Sequence, residues 1–383
     1  MIPYGRQNVS NEDVQAVVDV LRSDFLTQGP VVPAFEAALA AWAGTQHAVA
    51  VNSATSALHV ACLALGLGPG DRLWTVPNTF LASANCARYC GADVDFVDVD
   101  PGTWNMSVAA LTERLETAAR EDRLPKVVVP VAFAGQSCDM QAIRGLSSRY
   151  GFAVLEDASH AVGGRYLDRP VGCGEYADIT VFSFHPVKIV TTAEGGMAVT
   201  RDARLAEAMR LYRSHGMTRD AGAMEHASAG PWYYEQIALG YNYRMTELQA
   251  ALGVNQLKRL EIFVQRRHEI AQRYLALLDG LPLSTQRPLA GTLSALHLFP
   301  VRLDDASQRA RVFDELRAAG IGVNVHYIPV HLQPYYRRLG FGPGMFPDAE
   351  AYYAGAISLP MYPDLTDAMQ DHVVASLAQA LRQ

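Results

Sequence analysis

Short runs of Val, Ile, Leu and Ala recur through the first 200 residues, and amphipathic segments of helical period fall between them. The apolar runs sit at 47–51, 73–76, 94–97, 126–131, 152–155, 179–184 and 197–200, and the amphipathic ones at 55–65, 80–89, 108–119 and 140–150. A strand buried on both faces reads as an unbroken apolar run, and parallel neighbours need a crossover, usually a helix. The alternation therefore predicts an α/β fold with a mainly parallel central sheet flanked by helices. Upstream, Ser10-Asn11-Glu12-Asp13 has the form of a capping box, and a second helix over 33–42 stops at Gly44. A long helix from near Met245 through 258–274 is expected to link this body to a smaller C-terminal α/β part. That part shows strand, helix, strand and helix character at 298–302, 309–319, 322–326 and 367–382. The expected division is a large domain over 1–255 and a linking helix with a small domain over 256–383, with a surface loop at 220–230.

Charge narrows the partners. Across 383 residues, 32 Lys and Arg stand against 39 Asp and Glu, a formal net charge of −7. Nucleic acid and anionic membrane both need a basic face, so neither is expected as a partner. The N-terminus reaches Glu12-Asp13 without an apolar core, and no apolar run is long enough to span a bilayer. The five cysteines form no C-x-x-C pair. An odd count does not suggest a disulfide framework, so a reduced, metal-free, cytoplasmic protein is expected.

Only three of the 32 basic residues are lysines: Lys126, Lys188 and Lys258. Lys126 opens a strand beside Arg123, and Lys258 lies on a helical surface pattern. Lys188 follows Ser183-Phe184-His185-Pro186-Val187, with no acid or base nearer than His185. A buried ammonium without a carboxylate partner tends to deprotonate or react. A neutral amine is what a Schiff base requires, and arginine cannot supply one. By itself Lys188 could equally be a snorkelling lysine at a strand end.

Its neighbours in the pattern weigh on that choice. Asn52-Ser53-Ala54-Thr55-Ser56 lies between a strand and a helix, where free backbone N–H groups favour an anion. Ser183 could add a hydroxyl to the same anion. Asp157, in Glu156-Asp157-Ala158-Ser159-His160, falls at the carboxyl end of a strand, where open α/β sheets bind ligands. A carboxylate there can pair with a pyridinium nitrogen and keep the ring an electron sink. His160 could bond the ring's phenolic oxygen or pack on its face, and Phe80 could stack on it. Taken singly, Asp157 reads as well as a helix cap, His160 as a satisfied core histidine and Phe80 as core. The conjunction on strand ends of one sheet is what points to a cofactor.

These segments, with Asp24-Phe-Leu-Thr-Gln-Gly-Pro30, Thr192-Ala-Glu-Gly-Gly196, Arg213-Ser-His-Gly216 and Gly240-Tyr-Asn-Tyr-Arg-Met-Thr-Glu-Leu-Gln249, resemble the DegT/DnrJ/EryC1/StrS sugar aminotransferases along essentially the whole chain. Ser23–Pro30, Ser183-Phe-His and Arg213-Ser-His-Gly-Met217 look most like the members that make UDP-4-amino-4,6-dideoxy-N-acetyl-β-L-altrosamine for pseudaminic acid. The resemblance implies the PLP-dependent transferase fold type I and a homodimer with shared active sites. It also implies pyridoxal 5'-phosphate, L-glutamate giving 2-oxoglutarate, and a UDP-linked keto sugar, with a dTDP or GDP sugar as the alternative. Mapped by motif, Lys188 is the catalytic residue that bonds the cofactor, Asp157 pairs with its ring nitrogen, His160 lies by its ring oxygen and Phe80 stacks on it. Ala54, Thr55 and Ser183 hold its phosphate, with Asn242 reaching in from the partner subunit. Tyr4, Thr27, Gln28, His215, His326 and Tyr327 are implied to meet the nucleotide sugar or glutamate. Some members are sugar dehydratases with histidine at the lysine position; this chain keeps Lys188.

Overall fold

The computed structural model describes residues 1–382. Its central sheet has seven strands: β1 (His47–Val51), β2 (Arg72–Thr75), β3 (Asp93–Phe96), β4 (Val127–Val129), β5 (Ala153–Asp157), β6 (Ile179–Ser183) and β7 (Gly196–Thr200), in spatial order β1-β7-β6-β5-β4-β2-β3. Strands β3, β2, β4, β5 and β6 pair in parallel. Strand β7 runs antiparallel to both β1 and β6. Residues 184–195, between β6 and β7, contain no helix, and without a crossover the chain reverses beside its neighbour. The mainly parallel sheet is as expected, with that one strand turned. Because β1 opposes β7, it shares the direction of the parallel strands, and all six carboxyl ends open on one edge.

Helices cover both faces: α1 (Asn11–Leu21), α2 (Val31–Ala43), α3 (Ala54–Ala64), α4 (Ala82–Tyr89), α5 (Val108–Arg120), α6 (Met140–Tyr150), α7 (Ala203–Arg213), α8 (Glu247–Leu257) and α9 (Leu260–Leu277). The apolar strand residues bury completely between them, Val49, Val127, Val128, Leu155 and Ile179 among them. In the C-terminal part a three-stranded antiparallel sheet (Leu283–Thr285, Phe299–Leu303, Ala356–Leu359) shares a second core with the helices Arg309–Ala318 and Asp367–Leu381 and the later turns of α9.

Three local expectations need correcting. Helix α4 starts at Ala82 rather than residue 80, leaving Phe80 outside the core at 57% exposure. The long linking helix is two helices, α8 and α9, broken at Arg259 (φ −104°, ψ 6°). There the Arg259 guanidinium pairs with the fully buried Asp13 of α1. The same carboxylate accepts from Asn255 Nδ2 and Gln256 Nε2, both at 2.7 Å, and closes the Ser10 capping box. Residues 322–326 form no strand. Of these residues Asn324 alone bridges the small sheet, at Ser358, and residues 320–322 pair with the N-terminal segment, Ile2 N donating to Gly320 O and Gly322 N to Ile2 O. Loop 220–230 lies at the surface as expected, and Glu235 accepts backbone N–H groups of Glu225 and His226 from it.

Asp13 therefore joins α1 to the break between α8 and α9. Asp13→Ala removes the buried carboxylate that Arg259, Asn255 and Gln256 share, leaving Asn8 as the remaining acceptor for Arg259 and Gln256, and we expect a loss of about 3 kcal/mol in denaturant unfolding. A loss below about 1 kcal/mol, the range of exposed pairs, would contradict this reading.

Candidate active site

The carboxyl ends of β1, β5 and β6 surround a cavity of about 950 Å³. Beyond β1, Ser53 caps α3, its Oγ accepting from Ser56 N at 3.1 Å. Ser56 Oγ donates to Asn52 Oδ1 at 2.7 Å, so the hydroxyls and first N–H groups of α3 converge on one end of the cavity. Gly196 at the start of β7 packs against this turn. A Cβ there would stand 2.4 Å from Ala54 N and from the Ser53 carbonyl carbon, both backbone atoms that cannot give way. Ala54, Thr55 and Ser183 line the same space.

Strand β5 ends in Asp157, whose carboxylate is held on two sides. Oδ2 accepts from Ser83 Oγ of α4 at 2.6 Å, and Oδ1 from Ser159 N at 3.1 Å. Alternation along β5 sends the preceding Glu156 to the opposite face, where Thr180 bonds it and burial raises its carboxyl to about 7. His160, one turn on, is buried, with Nε2 3.0 Å from Tyr327 Oη. Its Nδ1 is buried with no partner. Burial, and then the Lys188 charge, push the imidazole well below its usual range.

Lys188 lies in the turn after β6, its N–H donating to His185 O. The residue is half-buried, and what surface it keeps faces the cavity. Among the described residues no ion pair or hydrogen bond holds its amine. Burial lowers that amine to about 8, and the Asp157 charge opposes the shift. His326, with Nδ1 2.8 Å from Ser358 Oγ, is lowered to about 3 by burial and then by Lys188. Tyr4 tilts over His326 at 5.6 Å between ring centroids, and Phe80 stands 6.2 Å from the Tyr327 ring at the rim.

The cavity thus gathers Tyr4, Ala54, Thr55, Phe80, Asp157, His160, Ser183, Lys188, His326 and Tyr327. It does not gather four others. Thr27 and Gln28 lie exposed in the turn between α1 and α2, Gln28 at φ 54°. His215 and Asn242 lie on a loop pair joined by the Ser214–Asn242 bridge, with Asn242 exposed. Sequence reasoning missed His185, Glu194, Gln249, His297 and Asn324, which also line it. Gln249 carried a signal as the fourth residue of the capping box opened by Thr246, whereas His297 sat in a strand-like run with none.

These residues suit pyridoxal phosphate chemically. The start of α3 and Gly196 form a backbone-lined cradle for an anion, and the free amine of Lys188 suits an aldehyde. Asp157 offers a fixed acceptor for a protonated ring nitrogen, and the unpartnered Nδ1 of His160 marks a polar group still to be satisfied. No group of three or more His, Cys, Asp or Glu among the described residues could hold a metal.

Comparison with known proteins agrees with this chemistry. The chain matches the model of the DegT/DnrJ/EryC1/StrS aminotransferase family over residues 7–378. It is 40% identical to the spore coat polysaccharide biosynthesis protein SpsC of Bacillus subtilis, covering 100% of this chain and 97% of that one. Its structure is similar to that of Helicobacter pylori PseC, an aminotransferase involved in the biosynthesis of pseudoaminic acid. The TM-score is 0.91 with 32% identity, over 100% of this chain and 99% of that one. It is also similar to Spr1654 of Streptococcus pneumoniae in its PMP form, with a TM-score of 0.90 and 30% identity over 100% and 99% of the two chains. A family match over nearly the whole length, laid on a strand-end cavity with a partnerless lysine facing a carboxylate, makes this chain a member of the DegT/DnrJ/EryC1/StrS family and a pyridoxal-phosphate-dependent sugar aminotransferase.

Proposed function

We propose that the enzyme moves the amino group of L-glutamate to C4 of a UDP-linked 4-keto-6-deoxy-N-acetylhexosamine, UDP-2-acetamido-2,6-dideoxy-β-L-arabino-hexos-4-ulose, with 2-oxoglutarate as the other product. The observation that carries the amino-transfer step is the Lys188 amine, lowered to about 8 in a cavity that also holds Asp157. The choice of sugar is supported by the likeness to PseC and by the segments 23–30 and 213–217. At about 950 Å³ the cavity stands at the upper end of small-molecule sites, room for more than an amino acid.

Bound pyridoxal phosphate supplies an electron sink next to the carbon that carries the transferred nitrogen. In this reading Ala54, Thr55 and Ser183 hold its phosphate and Asp157 its ring nitrogen. His160 lies by its ring oxygen, Phe80 packs on its ring, and Lys188 anchors it until the amino donor arrives. The freed Lys188 amine then takes a proton from the donor's α-carbon and returns one to complete the transfer, a role that calls for an amine near neutrality. The same residue performs the reverse proton transfer for the sugar, so donor and acceptor take turns in one cavity, which gives ping-pong kinetics. Tyr4, His326 and Tyr327 line the side left for substrate.

A homodimer belongs to this proposal. Asn242, His215, Thr27 and Gln28, which lie off the cavity in a single chain, then serve the site of a second copy. Large apolar side chains exposed beside them support such an interface: Phe25 at 53%, Leu26 at 50% and Leu239 at 78%. We place the enzyme in the reducing cytoplasm, in keeping with its five free cysteines, and take the division near residue 255 as its domain boundary.

The substrate is tested by incubating enzyme, pyridoxal phosphate and L-glutamate with the UDP, dTDP and GDP keto sugars, then reading product mass and ring-proton couplings. We expect one 4-amino sugar per glutamate consumed, formed fastest from the UDP compound; a faster dTDP or GDP substrate overturns the nucleotide choice. Lys188→Ala should lower the half-reaction with glutamate by at least about a hundredfold. An unchanged rate would remove Lys188 from the chemistry.

The lysine also predicts a pH dependence in the cofactor-free protein. Its folded value of about 8 lies below the ordinary 10.5, so between these pH values the unfolded chain keeps a proton the folded chain has released. Stability from this group therefore rises with pH across that window, after a full cost below it. The melting temperature of the parent protein, relative to Lys188→Met, should climb from pH 8 to 10.5. A flat difference would mean an amine in open water.

A further inference from the structure

Arg267 is the buried charge that the chemistry above leaves unused. It lies on α9, one of the largest side chains fully enclosed by the protein, at 1% exposure. Among the described residues no acidic group offsets it, and burial lowers its guanidinium to about 10. Nη1 donates instead to three carbonyl oxygens: Leu296 at 3.0 Å, His297 at 3.1 Å and Met361 at 3.2 Å. Nε has no partner. Carbonyl dipoles alone compensate an enclosed cation poorly, and an apolar side chain of that size would ordinarily pack there at less cost.

What the guanidinium grips leads to the active site. Leu296 is held in the left-handed region at φ 52°, and His297 turns its ring to the cavity wall. That ring lies 4.6 Å from the His160 ring, and its own Nδ1 is buried without a partner. A Cβ on Gly135 would stand 2.7 Å from Leu296 N and 3.1 Å from His297 N, so the segment is clasped between that turn and α9.

We propose that Arg267 is a positioning residue for amino transfer: its guanidinium clamps the main chain of Leu296 and His297 and so fixes the His297 ring against His160. The proposal rests on the amino-transfer reading and not on which sugar is used. It gives the unpaired charge a reason to persist. Besides burial, the groups that hold His297 below its usual range are Lys188 after β6, His160 after β5, Arg267 on α9 and His326 beside the small sheet. A cation behind the wall helps keep the His297 imidazole uncharged beside His160 while Lys188 exchanges its proton.

The test compares Arg267→Met and Arg267→Lys with the parent protein, loaded with pyridoxal phosphate. It reads imidazole proton titrations by NMR, kcat and KM for glutamate, and the melting temperature. Loss of the positive charge in Arg267→Met should raise the His297 midpoint by about one pH unit. Loss of the clamp should lower kcat about tenfold while KM changes little. Arg267→Lys carries its nitrogen on a shorter stem that reaches fewer of the three carbonyls, so kcat should still fall about tenfold; a buried ammonium without a carboxylate tends to deprotonate, so the His297 midpoint should rise as well. A folded Arg267→Met with the parent's titration and kcat overturns the proposal, however much its melting temperature drops. If that variant does not fold, a parent-like kcat in Arg267→Lys overturns it equally. Failure of the amino-transfer reading looks different, because the loaded parent protein would then take no amino group from glutamate.

Discussion

Desolvation of one amine is the constraint around which the site is arranged. Lys188 would be unremarkable on a wet surface, but in its cavity the charged form is disfavoured and the amine is brought near neutrality. Asp157 works against that shift, so the amine is held between burial and a carboxylate. The fold keeps both in place by ending two adjacent strands, β5 and β6, at the same edge. Ser83, from α4, then fixes the carboxylate from a third direction.

The antiparallel β7 is part of the same arrangement. A crossover helix after β6 would have buried the turn that carries Lys188 beneath a helical layer. The reversal leaves that turn open and brings Gly196 hard against the start of α3. The helix start that suits an anion and the lysine that suits an aldehyde are thereby adjacent in space, although 134 positions separate Ala54 from Lys188.

Around the amine the protein places imidazoles rather than fixed charges. His160, His297 and His326 are all pushed toward the neutral form, chiefly by burial and then by Lys188 itself. Neutral imidazoles supply hydrogen-bonding atoms without competing for the negative charge of Asp157. The cost appears at the back of the wall, where Arg267 remains charged on backbone carbonyls alone.

Much of this was legible in the chain. Unbroken apolar runs determined the buried sheet, because a strand covered on both faces has no polar side to show. The scarcity of lysine singled out Lys188, and the residues ending β1 and β5 marked the site's edge. Local pattern could not say that β7 would reverse, that Arg259 would break the long helix to reach Asp13, or that Ile2 would pair with residues 320–322. Nor could it reveal His297 and Arg267, whose neighbours lie far along the chain. Period and composition record how a segment buries its own side chains. Which distant groups then share a dielectric, a hydrogen bond or a wall is decided only when the chain is packed, and there Lys188 acquires its chemistry.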